Sequence, residues 1–525
     1  MSAVIAPRPP PRPPALGQAL RSPAVRTGAA VAGITAAAAA LRWWGLTRQG
    51  LWYDEAITAW LVRGTPGQLL SAIPHTESTP PLYYLLTWGW ARVFGNTEAG
   101  LRSLSALAGT GAVPVAFMAA RELGSRRAGL LAALLIAVNP LLVWYSQETR
   151  AYALLVLLAG ASFWLFARAR SQPTASRLVA WGVVSAAALC THYFAAFVVA
   201  PEALLLFVQR GAPLRWRLIA VGIVGATAAG LAGLAWAQHG HAHWQGTFGL
   251  GLRSVQMAAQ LFAGFTPPAT LPAAGAIAVA MLVLVLLVAR WGSRAERVRA
   301  ATAATVAGAA VAIPLALAVV GIDYVNTRNC IGALVPIAVV LGVGAATRRA
   351  GVAGLVAVGV IVAVSTALVL EVPREPAAQR PHWRAVAAAL SAPRAARRAI
   401  LITGSATWAV PLAHYLPHTW FAGPSGVRVS QIEVLRRLPV RPGCVGRSWW
   451  GASCAIRPRP ALAAPPSPGF RFASERRVAG FAIDTYRARR PIRLYARPPL
   501  DVPQPGAHGG RKLLFSPERV PRLPY

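Results

Sequence analysis

The chain has 525 residues, of which 55% are hydrophobic and only 13% charged, and its formal net charge is +36. So little charge cannot cover the surface of a soluble protein of this length, which excludes an ordinary soluble enzyme. The basic residues are almost all arginines that lie between apolar runs, and no nucleic-acid-binding module accompanies them, so the charge does not indicate a nucleic-acid-binding protein.

The N-terminal segment 1–26 is rich in proline and arginine, as in Arg8–Pro14. This composition predicts a disordered or polyproline-II tail. The first apolar run, about 27–46, lacks a small-residue cleavage site and is therefore predicted to be a retained membrane span rather than a signal peptide.

Repeated apolar runs of about 17–22 residues are long enough to cross a bilayer. We predict an α-helical polytopic membrane protein with about eleven transmembrane helices, at 27–46, 100–120, 127–145, 150–168, 177–191, 193–209, 217–238, 272–292, 300–320, 329–346 and 351–371. With this count, arginine-rich loops such as 121–127 and 290–299 fall on the same side as the N-terminal tail. The positive-inside rule makes that side the cytoplasm of a multi-pass plasma membrane protein and places the C-terminal domain outside.

Acidic residues follow the opposite pattern to the arginines. Six of the nine acids before Glu371 fall in loops predicted to be extracytoplasmic: Asp54, Glu55, Glu77, Glu98, Glu148 and Asp323. Carboxylates gathered on one face from separate loops favour a shared cavity there. The alternative is that loops with few arginines simply tolerate acids.

The loop 47–99 is too long for a simple connector and is predicted to contain short helices that lie along the membrane. It carries the adjacent acids Asp54 and Glu55 directly after the first span. We interpret Asp54 as a general base that deprotonates an acceptor hydroxyl. The alternative role is to cap a helix that starts at Glu55, and capping is compatible with catalysis.

The character of the chain changes at about residue 372, where proline and arginine increase and long apolar runs end. A strand at 399–403, a helix ending near Tyr415 and a strand at 481–486 predict a small extracytoplasmic α/β domain with a Pro-rich tail, over 372–525. Residues 27–371 are predicted to form the transmembrane domain. Cys444 and Cys454 are predicted to form a disulfide, with two free thiols as the alternative.

Four motifs in order resemble the dolichyl-phosphate-mannose-type membrane glycosyltransferases, including their actinobacterial members, over roughly residues 40–350. They are Leu51–Ala56, His75–Tyr84 with the following Leu101–Ala106, Asn139–Pro140 leading to Tyr145–Tyr152, and Thr191–Tyr193. The resemblance implies the C-type glycosyltransferase fold and the transfer of a sugar, mannose by default, from a polyprenyl phosphate to an acceptor on the outer face.

The resemblance also assigns residues. Asp54 matches the family's catalytic carboxylate. The pair Trp383-Arg384 matches a Trp-Arg pair that follows the last span in actinobacterial members, although His382 stands where those members often have an acid.

The remaining candidate residues are substrate-binding hypotheses, each with an open alternative. Glu55 positions Asp54 or pairs with an arginine. His75 and Glu77 bind the acceptor or a divalent cation, or form ordinary loop hydrogen bonds. Tyr324 is a further substrate-binding candidate. Arg328, four residues later, binds the donor phosphate or anchors its helix at the membrane interface.

Two further pairs lie in short turns between predicted spans. Glu148 and Arg150 pair with each other or line the donor pocket. His192 and Tyr193 are predicted to form pocket wall rather than to carry protons.

The favoured function is a lipid-dependent glycosyltransferase that inverts the anomeric centre. Its partners are a polyprenyl-phosphate-linked sugar, a glycan, glycolipid or protein acceptor and the lipid bilayer. The sequence identifies no cofactor with certainty, and a divalent cation is left open. One alternative is a transporter or flippase, for which Glu202 in the middle of a span is evidence, although no internal repeat accompanies it. Another is a non-catalytic scaffold, for which Asp54 would be dispensable.

Overall fold

The computed structural model describes residues 22–209, 211, 213–241, 249–265, 270–374, 379–391, 398–404, 409–416, 420–421, 426–438, 465–494 and 511–516. Residues 1–21 of the predicted tail 1–26 and the predicted disulfide between Cys444 and Cys454 lie outside these ranges. The last four residues of that predicted tail, 23–26, are instead the start of the first helix. The predicted domain boundaries stay predictions.

Helices form the first two thirds of the chain. In chain order they are α1 Pro23–Trp43, α2 Tyr53–Leu61, α3 Pro66–Thr76, α4 Leu82–Phe94, α5 Glu98–Leu123, α6 Arg126–Val138, α7 Pro140–Ser146, α8 Tyr152–Ser171, α9 Ala175–Thr191, α10 Ala196–Phe207, α11 Leu214–Gln238, α12 Leu250–Ala263, α13 Thr270–Trp291, α14 Arg294–Val319, α15 Leu334–Ala346 and α16 Gly351–Glu371. The 3₁₀ helices Tyr193–Ala195 and Thr327–Ala333 lead directly into α10 and α15.

The membrane prediction is confirmed by the length and composition of these helices. In the described part of the chain, eight helices are long and apolar enough to cross a membrane, and the bent pair α6–α7 makes a ninth. The two other predicted spans correspond to the shorter apolar helices Ala175–Thr191 and Tyr193–Phe207. The chain is therefore a multi-pass membrane protein.

The bend between α6 and α7 is held by a buried arginine from the first span. The two helices meet at 59° because Pro140 cannot continue the hydrogen bonding of α6. Arg42 donates Nη1 to the Ala137 carbonyl oxygen at 2.8 Å and Nη2 to the Ile136 carbonyl oxygen at 3.0 Å. It thereby binds carbonyls that the helix end leaves without intrahelical partners.

The segment after the first span forms three short helices, α2, α3 and α4, as predicted for the loop 47–99. Their apolar sides enclose a small core that includes Leu51, Ile73, Tyr83 and Tyr84. The loop predicted at 239–271 also contains α12, which the sequence analysis did not anticipate. We call the side of the membrane helices that carries α2, α3 and α4 the site face.

The intramembrane acid Glu202 has side-chain partners. Ser162 donates its Oγ to Glu202 Oε2 at 2.5 Å, and Trp181 donates Nε1 to the same oxygen at 2.8 Å. Glu202 therefore ties α10 to α8 and α9. These contacts account for its position without a transport pathway.

The C-terminal region forms helices α17 Trp383–Ser391 and α18 Ala409–Tyr415 and a mixed sheet. Its strands are β1 Arg398–Gly404, β2 Trp420–Phe421, β3 Val427–Arg437, β4 Arg471–Val478, β5 Phe481–Leu494 and β6 Arg511–Ser516, in the spatial order β2-β6-β1-β3-β5-β4. β1 and β3 are parallel and the other neighbours are antiparallel. The small α/β domain is confirmed, and β6 lies in the stretch predicted as a tail.

The C-terminal domain binds the site face next to the start of α2. Tyr415 donates its hydroxyl to Glu98 Oε1 at 2.5 Å and accepts the Leu51 N–H at 2.7 Å. Of the predicted pair, Trp383 is buried against Phe481 and Arg384 lies 2.5 Å from Glu98 Oε2, whereas His382 is exposed. The domain thus fixes the backbone that leads to Asp54.

Candidate active site

Asp54 is the second residue of α2, not the cap of a helix starting at Glu55. The helix begins at Tyr53 with Trp52 as its N-cap residue, so the capping role considered for Asp54 is wrong. A carboxylate in the first turn is nevertheless favoured by the helix dipole. The Asp54 side chain is 21% exposed, which leaves it open to a ligand.

Two arginines flank the Asp54 carboxylate without closing on it. Arg328 Nη1 lies 3.8 Å from Asp54 Oδ2, and Arg150 Nε lies 4.0 Å from the same oxygen. Arg150 comes from the turn between α7 and α8, and Arg328 from the 3₁₀ helix before α15. These separations are longer than a charge-assisted hydrogen bond, so the three groups surround a shared site rather than a closed ion pair.

Arg150 is oriented by Glu77, which the sequence analysis linked to His75 instead. Arg150 Nη1 donates to Glu77 Oε2 at 2.8 Å, and the Tyr84 hydroxyl donates to the same oxygen at 2.5 Å. Burial raises the pKa of Glu77, with Arg150 and the Tyr84 hydrogen bond opposing that effect. His75 is exposed at the end of α3, so the structure does not bring it to Asp54.

Glu55 is fully buried and faces away from the open site. Arg102 donates Nε to Glu55 Oε1 at 2.7 Å and Nη2 to Oε2 at 2.6 Å, and the Thr149 N–H donates to Oε1 at 2.9 Å. Burial alone would raise the pKa of Glu55, but Arg102 and Arg380 hold it below its ordinary value. Of its two predicted roles, the structure therefore shows the pairing with arginine.

Arg380 is the residue of this site that the sequence analysis missed. It donates Nη1 to Glu55 Oε2 at 3.0 Å and Nη2 to Glu148 Oε1. Its guanidinium carbon lies 5.5 Å from the ring centroid of Trp52 and 4.8 Å from that of Trp144. Arg380 follows the last span and joins two acids from separate loops.

Glu148 pairs with Arg380 rather than with its near neighbour Arg150. It also accepts the Trp144 Nε1–H at 2.9 Å. Burial raises the pKa of Glu148 to about 7, an effect that the Arg380 charge opposes and the charges of Glu55 and Asp54 increase.

The raised pKa of Glu148 predicts a specific pH dependence of stability. Between its ordinary pKa of 4.5 and about 7, the folded state binds a proton that the unfolded state has released. Stability is therefore lost as the pH rises through this window, by up to about 1.4 kcal/mol per pH unit for one group. We expect Glu148→Gln to remove this slope, measured as the difference between the melting temperatures of the two purified proteins from pH 5 to pH 8. Two parallel curves would contradict the assignment.

An aromatic row leads from Arg328 along one wall of the site. Arg328 lies over Tyr152 with 5.7 Å between the guanidinium carbon and the ring centroid, and His192 lies 5.6 Å from Tyr152. Phe194 continues the row and lies 5.3 Å from Tyr324. The Tyr193 hydroxyl instead donates to Gln238 Oε1 at 2.7 Å, on a different part of the wall.

His192 is neutral in this environment. Burial, together with the charges of Arg328 and Arg150, lowers its pKa to about 3. Its Nδ1 accepts the Phe194 N–H at 3.3 Å, which assigns the proton to Nε2. This geometry agrees with a residue that shapes the pocket and does not exchange protons near neutral pH.

Several buried polar atoms around Asp54 have no hydrogen-bond partner among the described residues. They are Arg150 Nε, Glu77 Oε1 and Glu148 Oε2. Buried polar groups in folded proteins are nearly always satisfied, so a cluster of three unsatisfied atoms around one exposed carboxylate indicates a place for a ligand. No group of three or more His, Cys, Asp or Glu side chains in the described ranges is arranged to hold a metal ion.

Three solved structures show similarity to this chain. ArnT from Cupriavidus metallidurans bound to undecaprenyl phosphate is 16% identical, with a TM-score of 0.49 over 74% of this chain and 85% of that chain. The Archaeoglobus fulgidus oligosaccharyltransferase complex with Zn and sulfate is 14% identical, with a TM-score of 0.41 over 65% of this chain and 53% of that chain, so this chain spans about half of its length. The S. cerevisiae protein O-mannosyltransferase Pmt1-Pmt2 complex bound to the sugar donor is 19% identical, with a TM-score of 0.32 over 43% and 34%.

Sequence comparison with curated proteins gives no match. The family model for dolichyl-phosphate-mannose-protein mannosyltransferase matches residues 78–236. That range contains Glu148, Arg150, His192 and Tyr193 of the candidate site, together with the helices from α4 to α11. The match covers less than a third of the chain, and it shows that this segment is similar to the dolichyl-phosphate-mannose-protein mannosyltransferases.

Proposed function

We propose that the protein is a membrane glycosyltransferase that moves a sugar from a polyprenyl phosphate to an acceptor hydroxyl on the extracytoplasmic face. The observation that carries the proposal is the open carboxylate of Asp54 between Arg150 and Arg328, among buried polar atoms that lack partners. The match of residues 78–236 to the family model supports the proposal independently, because that match rests on sequence and not on this geometry.

The chemistry follows from the charges. The acceptor oxygen forms a bond to the anomeric carbon of the sugar while the bond from that carbon to the donor phosphate oxygen breaks. The electron pair leaves with the phosphate, where the guanidiniums of Arg328 and Arg150 stabilise the added negative charge. The acceptor proton passes to the Asp54 carboxylate. We expect the acceptor oxygen to attack the anomeric carbon on the face opposite the departing phosphate, which inverts that carbon.

The orientation in the membrane is part of the proposal. Arginines in the loops between α5 and α6, α8 and α9, and α13 and α14 favour the cytoplasm on the side opposite the site face. The N-terminus is then cytoplasmic and the C-terminal domain extracytoplasmic. An outer active site has no sugar nucleotide available, which favours a donor that carries its leaving group through the membrane.

A transfer assay tests the proposal. Purified full-length protein in lipid is offered undecaprenyl-phosphate sugars, with mannose first because of the family match and arabinose second. Product is measured with peptide, glycolipid and glycan acceptors. The same assay with EDTA decides whether transfer requires a divalent cation. Absence of transfer from every donor, in protein that binds undecaprenyl phosphate, would contradict the proposal.

Arg328→Gln is expected to weaken donor binding more than it changes chemistry. Arg328 offers a planar guanidinium 3.8 Å from Asp54, and glutamine keeps a polar side chain without its charge. The loss of charge-assisted hydrogen bonds to a phosphate, about 1.5–3 kcal/mol, corresponds to a rise of about 10–150-fold in KM for the donor. Steady-state kinetics with varied donor measure this. An unchanged KM together with an unchanged kcat would contradict phosphate binding by Arg328.

A further inference from the structure

A cavity opens on the site face at the ends of α1, α7 and α16. It has a volume of about 630 Å³, its open mouth included, and it does not contain Asp54. Arg380 forms part of its wall and donates to Glu55 and Glu148, so this arginine separates the cavity from the candidate active site. The cavity is therefore a neighbouring compartment and not an extension of the Asp54 site.

The lining of the cavity is ordered from apolar to cationic. Leu41, Val143 and Val369, which belong to α1, α7 and α16, form its apolar part. Arg48 and Arg380, which follow the ends of the first and last spans, form its cationic part. A ligand that fits this order has an apolar end among the membrane helices and an anionic end beyond them.

The positive charge of the cavity is not fully neutralised by the protein. Of the described residues that line it, three are arginines and none is Asp or Glu. Arg102 is occupied, because its guanidinium donates to Glu55 and to the carbonyl oxygens of Leu46, Gln49 and Gly50. Arg380 is shared between Glu55 and Glu148, which leaves the charge of Arg48 to attract an anion.

Arg48 is placed to respond to such an anion. It is exposed, and its guanidinium carbon lies 4.7 Å from the ring centroid of Trp44 at the mouth of the cavity. Within the described ranges it forms no ion pair with a carboxylate. An arginine stacked on a ring keeps the edge of its guanidinium available for a phosphate.

We propose that this cavity is a second polyprenyl-phosphate site, in which Arg48 binds the phosphate and α1, α7 and α16 bind the first units of its single chain. The identity of the lipid rests on the proposed function. Only the Arg380 side chain separates this cavity from Glu55 and Glu148, which lie near Asp54. The cavity is therefore suited to bind the polyprenyl phosphate that remains after its sugar has been transferred.

Native mass spectrometry of the full-length protein in detergent tests this inference, with undecaprenyl phosphate as the probe. We expect the wild-type protein to bind two molecules of the lipid. Arg48→Gln, which leaves an exposed position, and Val143→Phe, which fills the apolar part, should each weaken one of the two binding events at least about tenfold. Arg328→Gln should weaken the other, at the Asp54 site.

Arg92→Gln is the matched control. Arg92 is also exposed and lies over a tryptophan, with 4.8 Å between its guanidinium carbon and the centroid of Trp88, but it does not line the cavity. Its replacement should change neither binding event by more than about twofold. Melting temperatures confirm that all the variants are folded.

The outcomes separate the two proposals. Two binding events that both survive Arg48→Gln and Val143→Phe overturn the second site. A single binding event that only Arg328→Gln weakens also overturns the second site, but this result leaves the proposed function intact. Displacement of the second lipid by equimolar phosphatidylglycerol also overturns the assignment, because it shows a general lipid site. A single event lost in Arg48→Gln and unaffected in Arg328→Gln contradicts donor binding at Asp54 instead.

Discussion

Asp54→Asn is expected to lower kcat for sugar transfer by about 10²–10⁴-fold, the usual contribution of a general base. Asparagine has nearly the same shape as aspartate but cannot accept the proton of the acceptor hydroxyl. The side chain is 21% exposed and its nearest cations lie 3.8 and 4.0 Å away, so little folding energy depends on it. The melting temperature of the variant should therefore stay close to that of the wild type.

Donor binding provides a second measurement on the same variant. The Asp54 carboxylate repels a phosphate bound by Arg150 and Arg328, and its removal leaves these two arginines less neutralised. We expect Asp54→Asn to bind undecaprenyl phosphate as tightly as the wild type or more tightly. A variant that lost transfer because it was misfolded would lose binding as well.

Asp323→Asn is the matched control for this experiment. Asp323 is also an aspartate on the site face, is 25% exposed and pairs with Arg253, away from Asp54. Its replacement should leave kcat within a fewfold of the wild type. Normal turnover by Asp54→Asn would show that Asp54 is not the general base of the transfer.

The different roles of Asp54 and Glu55 illustrate what the sequence could not decide. Both are acids in one motif, and the sequence predicted that they matter. Successive residues in a helix point in different directions, so only one of them can face an open site. In the structure Asp54 faces the open site and Glu55 faces the protein interior. Predicting these directions would have required knowing the residue at which α2 begins.

Arg380 could not be predicted from the sequence, for a different reason. It lies 325 residues after Glu55, in a stretch rich in proline and arginine where no pattern singles out one arginine. Arg102 did give a signal, because an ionisable residue inside a predicted span calls for a partner. The sequence did single out Arg150, in the motif that leads to Tyr152, and Arg328, and the structure places both within 4.0 Å of Asp54.

Arg102→Gln is expected to lower the free energy of unfolding by about 3–5 kcal/mol, the cost of removing one partner of a buried ion pair. Arg102 is 2% exposed and Glu55 is fully buried, so water cannot replace the lost interaction. The backbone oxygens of Leu46, Gln49 and Gly50 also lose their donor, in the segment that leads to α2. Thermal and denaturant unfolding in detergent measure the effect.

Arg384→Gln is the control, because Arg384 also pairs with an acid on the site face but is 44% exposed. An exposed pair contributes at most about 1 kcal/mol, so this variant should remain near the wild type. Equal losses in the two variants would contradict a special role for the Arg102–Glu55 pair.

The pH dependence of the Arg102→Gln effect tests its electrostatic origin. Pairing holds the pKa of Glu55 below its ordinary value, so its contribution to stability is present above pH 4.5 and is lost as the pH falls through the lowered pKa. Without Arg102, burial favours the protonated form of Glu55. The variant therefore loses stability mainly at neutral pH, where Glu55 must give up its proton or stay protonated at a cost. The stability gap between wild type and variant should therefore narrow from pH 7 to pH 4.5. A gap that stays constant would mean that packing around Arg102, and not its charge, supports the start of α2 and with it the position of Asp54.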